Sequence, residues 1–325
     1  MGEPAPCPNP AYATFCSSHP NNSTYTTTPY SVGETSEGNP NLAPERSQSY
    51  TIGTVLRPDR RLTLTVDYWH TKIDGIIISV AQEGTPVEEA IAQYYANNGV
   101  VNVPGVTVTP GLKDPTNPNS LPLLGYITSS YVNAESEVAS GIDIGADLRL
   151  TLSQKDNVGL HSIFNVSYLG KLTQTTPGGV EVFAGTLGPC NITACSGTPR
   201  WRGVWSNTFD IDHKTDITLT GNYTSGYSEY NADIGFAANW QTGPNAGKEV
   251  ISNVHATFTA DLDIRQKIDD HFTIYLDVKN VLNSKPVFDP AGGYGDGLTY
   301  YMFNPAWDDS NYIGRFFRVG AKIDF

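Results

Sequence analysis

The sequence predicts an all-β chain forming the wall of an antiparallel transmembrane β-barrel, and three observations predict it. Phe317, Val319, Ala321, Ile323 and Phe325 alternate with Arg318, Gly320, Lys322 and Asp324 up to the last residue. That period of two marks a strand with one apolar side. Chain ends usually fray into solvent, whereas the last strand of a membrane barrel must pair to close the wall. The second observation is an alternation of connections: short turns follow the odd-numbered strands and long loops the even-numbered ones. The third is the recurrence of Asp143, Asp147, Asp261, Asp263, Arg265, Asp277 and Lys279 opposite the apolar face. A soluble barrel core wants apolar groups there, while a wide barrel has a hydrated lumen; simple solvent exposure on a one-sided sheet is the plainer alternative.

Composition agrees. The chain has 325 residues, 39% hydrophobic, rich in Gly (31) and Tyr (18) and poor in Met (2). Mean hydropathy is -0.29, and no apolar run approaches the roughly 18–20 residues of a spanning helix. A net charge of -13 argues against nucleic-acid binding, which wants a basic face. Gly2–Glu3–Pro4–Ala5–Pro6 lacks the basic start and apolar core of a secretory signal, so the expectation is that any export signal lies upstream. Cys7 with Cys16, and Cys190 with Cys195, sit among loop-forming residues and are expected to form short disulfides in an oxidising compartment. No His or acidic ligand set accompanies either pair, so no metal or other cofactor is expected.

Taken in order, residues 1–46 lack periodicity and read as an irregular loop segment, with barrel wall from 47 to 325. Strands follow at Gln48–Leu56 and from Leu62 towards Ile78. In the excursion from about Ala81 to Leu124, Pro86–Asn97 reads as a short helix, with Pro in the first turn and Glu88 and Glu89 near its positive end. A third strand reaches from about Ile127 to Leu152, and a fourth carries Val158 to Tyr168. Trp201–Ile211, Ile217–Tyr223, Val254–Ile264 and Phe272–Val278 come next, and the closing strand makes nine. Tyr68, Trp69, Tyr168, Trp201, Trp205, Tyr223, Tyr227 and Tyr275 lie near strand ends, as interfacial aromatics do.

Five segments then carry a resemblance. Gly38–Asn39–Pro40–Asn41–Leu42–Ala43–Pro44–Glu45–Arg46–Ser47–Gln48–Ser49–Tyr50–Thr51–Ile52–Gly53 resembles the segment of TonB-dependent outer-membrane receptors that leads from an outer loop into a descending strand. Leu62–Ile73, Val138–Asp143, Val278–Asn283 and the terminal strand are similar to later pieces of the same barrel. The resemblance implies a C-terminal part, about nine strands, of a 22-stranded barrel from a Gram-negative outer membrane. It also implies short periplasmic turns, long extracellular loops, a C-terminus on the periplasmic side, and a lumen plug with early strands that this sequence does not contain. Implied partners are outer-membrane lipid, a TonB-type energising complex acting through the plug, and the insertion machinery, which would read Phe317, Val319, Ala321, Ile323 and Phe325.

The function expected from this is capture and energised uptake of a scarce nutrient, a siderophore, a cobalamin or an oligosaccharide, with no covalent chemistry. Loop aromatics Tyr94, Tyr95, Trp240, Tyr294, Tyr300, Tyr301 and Trp307 offer stacking surfaces for a small-molecule or glycan ligand; alternatively they pack the loops against one another. The competing class is a soluble or surface-displayed β-sheet binding module without transport. An enzyme is not expected: the six histidines are dispersed, and no nucleophile elbow or HExxH motif occurs.

Overall fold

A computed structural model describes residues 2–3, 6–7, 9–20, 22–80, 84–133, 136–176, 179–190, 196–229, 238–239, 243–244, 249–250, 253–289, 303–304, 307 and 312–323. Among them, nine strands form one continuous antiparallel meander. They are β1 Arg46–Asp59, β2 Leu62–Asp74, β3 Ser136–Ser153, β4 Val158–Thr176 and β5 Trp201–Ile211. β6 Thr215–Thr224, β7 Thr257–Lys267, β8 Phe272–Lys279 and β9 Phe316–Ile323 complete the order. Each pairs with its sequence neighbours, leaving β1 and β9 as the edges, and a short strand Gly179–Val182 folds back on the end of β4. β1 to β7 hold 10 to 19 residues each, enough for the roughly 9–11 that cross a bilayer. Among the described residues no helix is long and apolar enough to do so.

The alternation of connections is present in three dimensions. β1–β2, β3–β4, β5–β6 and β7–β8 are joined by tight turns at one end of the sheet, and the long segments leave the other. Register makes each face continuous. Val66, Ile144, Val166, Gly203, Tyr223 and Phe258 lie side by side across six strands. Leu219, Leu262, Val278 and Phe317 form another row of the same face. Large side chains on this face are solvent-accessible, Ile52 at 69% and Val319 at 78% among them. Such a band has no place against water and suits lipid.

Several strand limits differ from the sequence reading: the strand expected from Val254 starts at Thr257, Val254 pairing instead with Tyr227 outside the wall, and the fourth strand runs on to Thr176. The second strand stops at Asp74, where Gly75 takes a φ of +67°. The third does not run unbroken from 127 to 152: Leu124–Asn133 leaves the wall for a smaller sheet, and β3 starts at Ser136. The reason is competition for hydrogen bonds. Leu124–Asn133 pairs in parallel with Gly33–Glu37 and antiparallel with Val106–Pro110 and Ile77–Ser79. Asn133 ties this sheet to the wall, donating to the carbonyls of Gly75 and Ala43 at 2.7 and 2.9 Å and accepting from Ala43 N–H at 2.8 Å.

Residues 9–37, read from sequence as irregular, contain two helical segments, α1 Ala13–Ser17 and α2 Ser23–Thr26, besides a 3₁₀ turn. With helix α3 Gly84–Ala96 and the smaller sheet they build a cap whose core holds Phe15, Tyr25, Val87, Tyr94, Tyr95, Leu124 and Ile127. α3 realises the helix expected at Pro86–Asn97 and buries Val87, Ala90 and Tyr94 at helical spacing. The Cys7–Cys16 disulfide, with Cα atoms 5.5 Å apart, closes the start of the cap. The largest soluble-type core therefore lies in the loops, not in the wall.

Candidate functional site: the lumen face and its loop-end cleft

Opposite the apolar band, the strands present a polar face. Thr208 and Thr218 bond at 2.9 Å across β5 and β6, and Ser206 and Thr220 at 3.1 Å. Charged pairs run along the same face, Arg149 on Asp147 at 3.3 Å, Arg265 on Asp263 at 3.1 Å, and Arg318 on Asp277, and the His161 ring hydrogen-bonds Asp147 at 3.0 Å. Of the acidic positions singled out in the sequence, Asp147, Asp263 and Asp277 thus have neighbouring cations on the sheet itself.

At the loop end of this face, β6, β7 and β8 bound a cleft of about 300 Å³. Asn222, Thr224, Thr259, Asp261 and Lys279 line its wall and Trp307 reaches it from the β8–β9 loop. Asp261 is fully engaged, with Lys279 Nζ at 3.0 Å on one oxygen and the Asn280 N–H at 2.8 Å on the other. Asn280 stands at a φ of +50°, its side chain bonded to both the N–H and C=O of Ser284, which fixes the exit of β8. The Trp307 indole donates to the Ser196 carbonyl, and the Arg202 guanidinium lies 4.7 Å from its ring centroid. Arg202 is exposed and has no ion-pair partner among the described residues. The arrangement sets a cation on an aromatic ring beside a wall of hydroxyl, amide and paired charged groups.

A second packed cluster supports the rim. Leu187, Cys190, Tyr227 and Val254 form a small core against Val287 and Trp307. The Tyr227 hydroxyl donates to Asp289 at 2.8 Å and accepts from Asn304 at 2.9 Å. Cys190 is disulfide-bonded; Cys195, expected as its partner, lies outside the described residues.

The structure separates the loop aromatics. Trp307 is half-buried on the cleft, while Tyr94 and Tyr95 are buried in the cap core at 0% and 2% exposure and present no stacking face. Trp240, Tyr294, Tyr300 and Tyr301 lie outside the described residues, as does Phe325. Phe317, Val319, Ala321 and Ile323 share the apolar face of β9 and lie across from Val278, Leu276, Ile274 and Phe272. Of the strand aromatics, Tyr50, Tyr68, Tyr168, Trp201, Tyr223 and Phe258 lie towards the loop end of the apolar face, with Tyr168 and Trp201 rings 4.4 Å apart. Tyr227 is instead buried in the rim cluster, and Tyr275 is on the lumen face. Arg202 escaped the sequence reading; its signal was a cation at a polar-face position of β5, one residue past the interfacial Trp201. Among the described residues no three His, Cys, Asp or Glu side chains converge to hold a metal ion.

A continuous apolar outer band, a charged inner face, and short turns opposite long loops define the wall of a wide membrane β-barrel with a ligand-sized cleft at its loop end. The family described as TonB dependent receptor-like, beta-barrel matches residues 5–281, and the chain belongs to it. Barrels of this family are outer-membrane proteins of receptor and transport type. The chain is similar in fold to the siderophore receptor PirA from Acinetobacter baumannii (12% identity, TM-score 0.51, covering 89% of this chain and 33% of that one). It is similar to the ferric enterobactin receptor PfeA from Pseudomonas aeruginosa, as a Q482A mutant in complex with enterobactin (15%, 0.53, 90% and 34%). It is similar too to the FrpB iron transporter from Neisseria meningitidis, F5-1 variant apoprotein (14%, 0.51, 89% and 33%). The chain spans about a third of the length of these receptors. No curated protein matches it.

Proposed function

We propose that this chain is part of the wall of an outer-membrane receptor that captures a scarce nutrient, a ferric siderophore in first place, and passes it inward by TonB-coupled transport. On this reading the loop end faces outside, the short turns and the C-terminus face the periplasm, and β9 carries the signal for barrel insertion. The observation that carries it is Arg202 stacked on Trp307 above the polar cleft at the loop end of the lumen face. A cation held on an aromatic ring recognises ligands that combine negative charge with flat rings. The similar structures, a siderophore receptor, a ferric enterobactin receptor and an iron transporter, favour that class over a cobalamin or a neutral oligosaccharide, by analogy of fold.

The test is ligand affinity in variants of the cleft. Trp307→Ala and Arg202→Gln are each expected to weaken binding of a ferric catecholate by about tenfold, since cation–π and charge-assisted contacts are worth roughly 1–2 kcal/mol each. Loss on Trp307→Ala with Arg202→Gln neutral points to an uncharged, sugar-like ligand. Unchanged affinity in both variants removes the cleft from the ligand path.

A further inference from the structure

We propose that the apolar face carries, at its loop end, a site for an anionic, phosphate-bearing lipid headgroup centred on Lys171. The site rests on the membrane reading of the apolar band and is independent of the nutrient assigned to the lumen cleft. Tyr68, Ile142, Tyr168 and Trp201 form one row of that face across β2 to β5. Strict alternation from Tyr168 would point Lys171 to the polar face. A β-bulge prevents this: the register slips between Leu169 and Lys171, and Lys171 pairs with Ser140. Ser140 lies opposite His70, and His70 opposite Tyr50, so the bulge re-aims Lys171 to the apolar side. Arg200 serves the bulge from behind, its Nη1 donating to the carbonyls of Leu169 and Gly170 at 3.3 and 2.9 Å. Lys72, between Gln48 and Val138, stands one row further out on the same side.

Height and charge both select the occupant. An aromatic row sits where hydrocarbon meets headgroups, and the headgroup layer is roughly 5–7 Å deep on each side. Lys171 and His70 are two residues beyond that row, a rise of roughly 7 Å along the strands, or about 5 Å along the normal of a tilted wall. They therefore start within the headgroup layer. Lys72 starts at its outer limit, with a stem long enough to reach back. Lys72 is already engaged by Asp74 at 2.6 Å and counts as neutral. Glu137 points to the polar face, where it accepts from Gln174 Nε2 at 3.0 Å, and Glu45 accepts from the Ile77 N–H at 2.7 Å. Lys171 is exposed and forms no ion pair among the described residues, and the same holds for Arg46 further out on β1. The Ser140 hydroxyl and the His70 imidazole, stacked 4.9 Å from the Tyr50 ring, add polar groups beside it. A lipid phosphate satisfies Lys171 while its acyl chains lie along Val66, Ile144 and Val166. A free anion makes only the first of these contacts.

Native mass spectrometry of the full chain in detergent micelles tests the site, with phosphatidic acid, phosphatidylcholine and inorganic phosphate as probes. Phosphatidic acid is expected to be retained about fivefold more strongly than phosphatidylcholine, the worth of one cation at a membrane surface, and not to be displaced by inorganic phosphate. Lys171→Gln is expected to erase that preference and Lys171→Arg to keep it. Lys113→Gln, exposed in the cap, controls for net charge and leaves the preference unchanged. The sheet signal in circular dichroism confirms that each variant is folded. The proposal is overturned if the two lipids are retained equally, if inorganic phosphate displaces phosphatidic acid, if folded Lys171→Gln keeps the preference, or if Lys113→Gln loses it. A parent chain that reaches its sheet in plain buffer, without micelles, instead overturns the membrane reading beneath it.

Discussion

Single residues of the wall satisfy their polar groups within the sheet, because the lipid side offers no water to do it. On the apolar face the Trp205 indole donates to Ser162 at 2.9 Å, and Ser162 donates to Asn207 at 2.8 Å. The tight turns show the same economy in water. In the β5–β6 turn Asp212 and His213 both take positive φ, +54° and +53°, and Asp210 accepts from the His213 backbone N–H at 2.9 Å while its other oxygen lies 2.9 Å from Nδ1. The Asp210 carboxylate beside it pushes the His213 imidazole above its ordinary value. A group raised on folding contributes stability that is full below its unfolded value, about 6.5, and is lost as pH rises through the folded value. The turn is thus expected to hold in mild acid and loosen towards alkaline pH. A proton-NMR titration of His213 should give a midpoint above about 6.5, falling back in Asp210→Asn. A midpoint that ignores Asp210→Asn contradicts the assignment.

At the scale of elements, wall and cap obey different rules, and a core mutation separates them. Leu124, 1% exposed, packs in the cap core beside Tyr94, Tyr95 and Ile127. Leu124→Ala is expected to cost about 2–5 kcal/mol through lost burial and the cavity left behind. Hydrogen exchange should show faster amides in α3 and at Tyr126–Ser130, with β4 to β7 unchanged; equal acceleration throughout would mean that cap and wall unfold as one. The wall was legible in the sequence because a strand's faces repeat every two residues, so Val138 to Leu150 or Ile217 to Tyr223 declare themselves locally. The cap was not, because its contacts are distant in sequence: Phe15 meets Tyr95 edge-on at 4.8 Å, and the Tyr25 hydroxyl reaches the Leu112 carbonyl at 2.6 Å. For the same reason Tyr94 and Tyr95 resembled ligand-facing aromatics, since a YY pair at a helix end does not say what covers it. Leu124–Asn133 misled because a strand's period does not name its partner. Trp307 was legible as a candidate, whereas its stacking on Arg202 depends on how the β8–β9 loop crosses the end of β5.

For the molecule as a whole, the choice between a membrane wall and a water-exposed sheet rests on what the apolar band touches, and two adjacent residues decide it. Leu219 and Thr220 sit side by side in the middle of β6. Leu219 lies on the apolar face between Asn207 and Leu262, and Thr220 on the polar face between Ser206 and Asp261. In a sheet wetted on both sides, Arg at either position costs little, within about 0.5 kcal/mol for an exposed site plus the lost Thr220–Ser206 bond. In a bilayer the two differ, because Arg on the lipid face near the midplane costs roughly 2–4 kcal/mol and Arg towards a hydrated lumen does not. Folding of the chain into lipid vesicles, followed by denaturant titration, is expected to show Leu219→Arg destabilised by that amount and Thr220→Arg by less than about 1 kcal/mol. The parent chain should also require detergent or lipid to reach its sheet, since Ile52, Leu219, Phe258 and Val319 would otherwise face water together. Equal, small effects of the two substitutions, with a stable monomer in plain buffer, would turn the reading to a surface-displayed binding sheet.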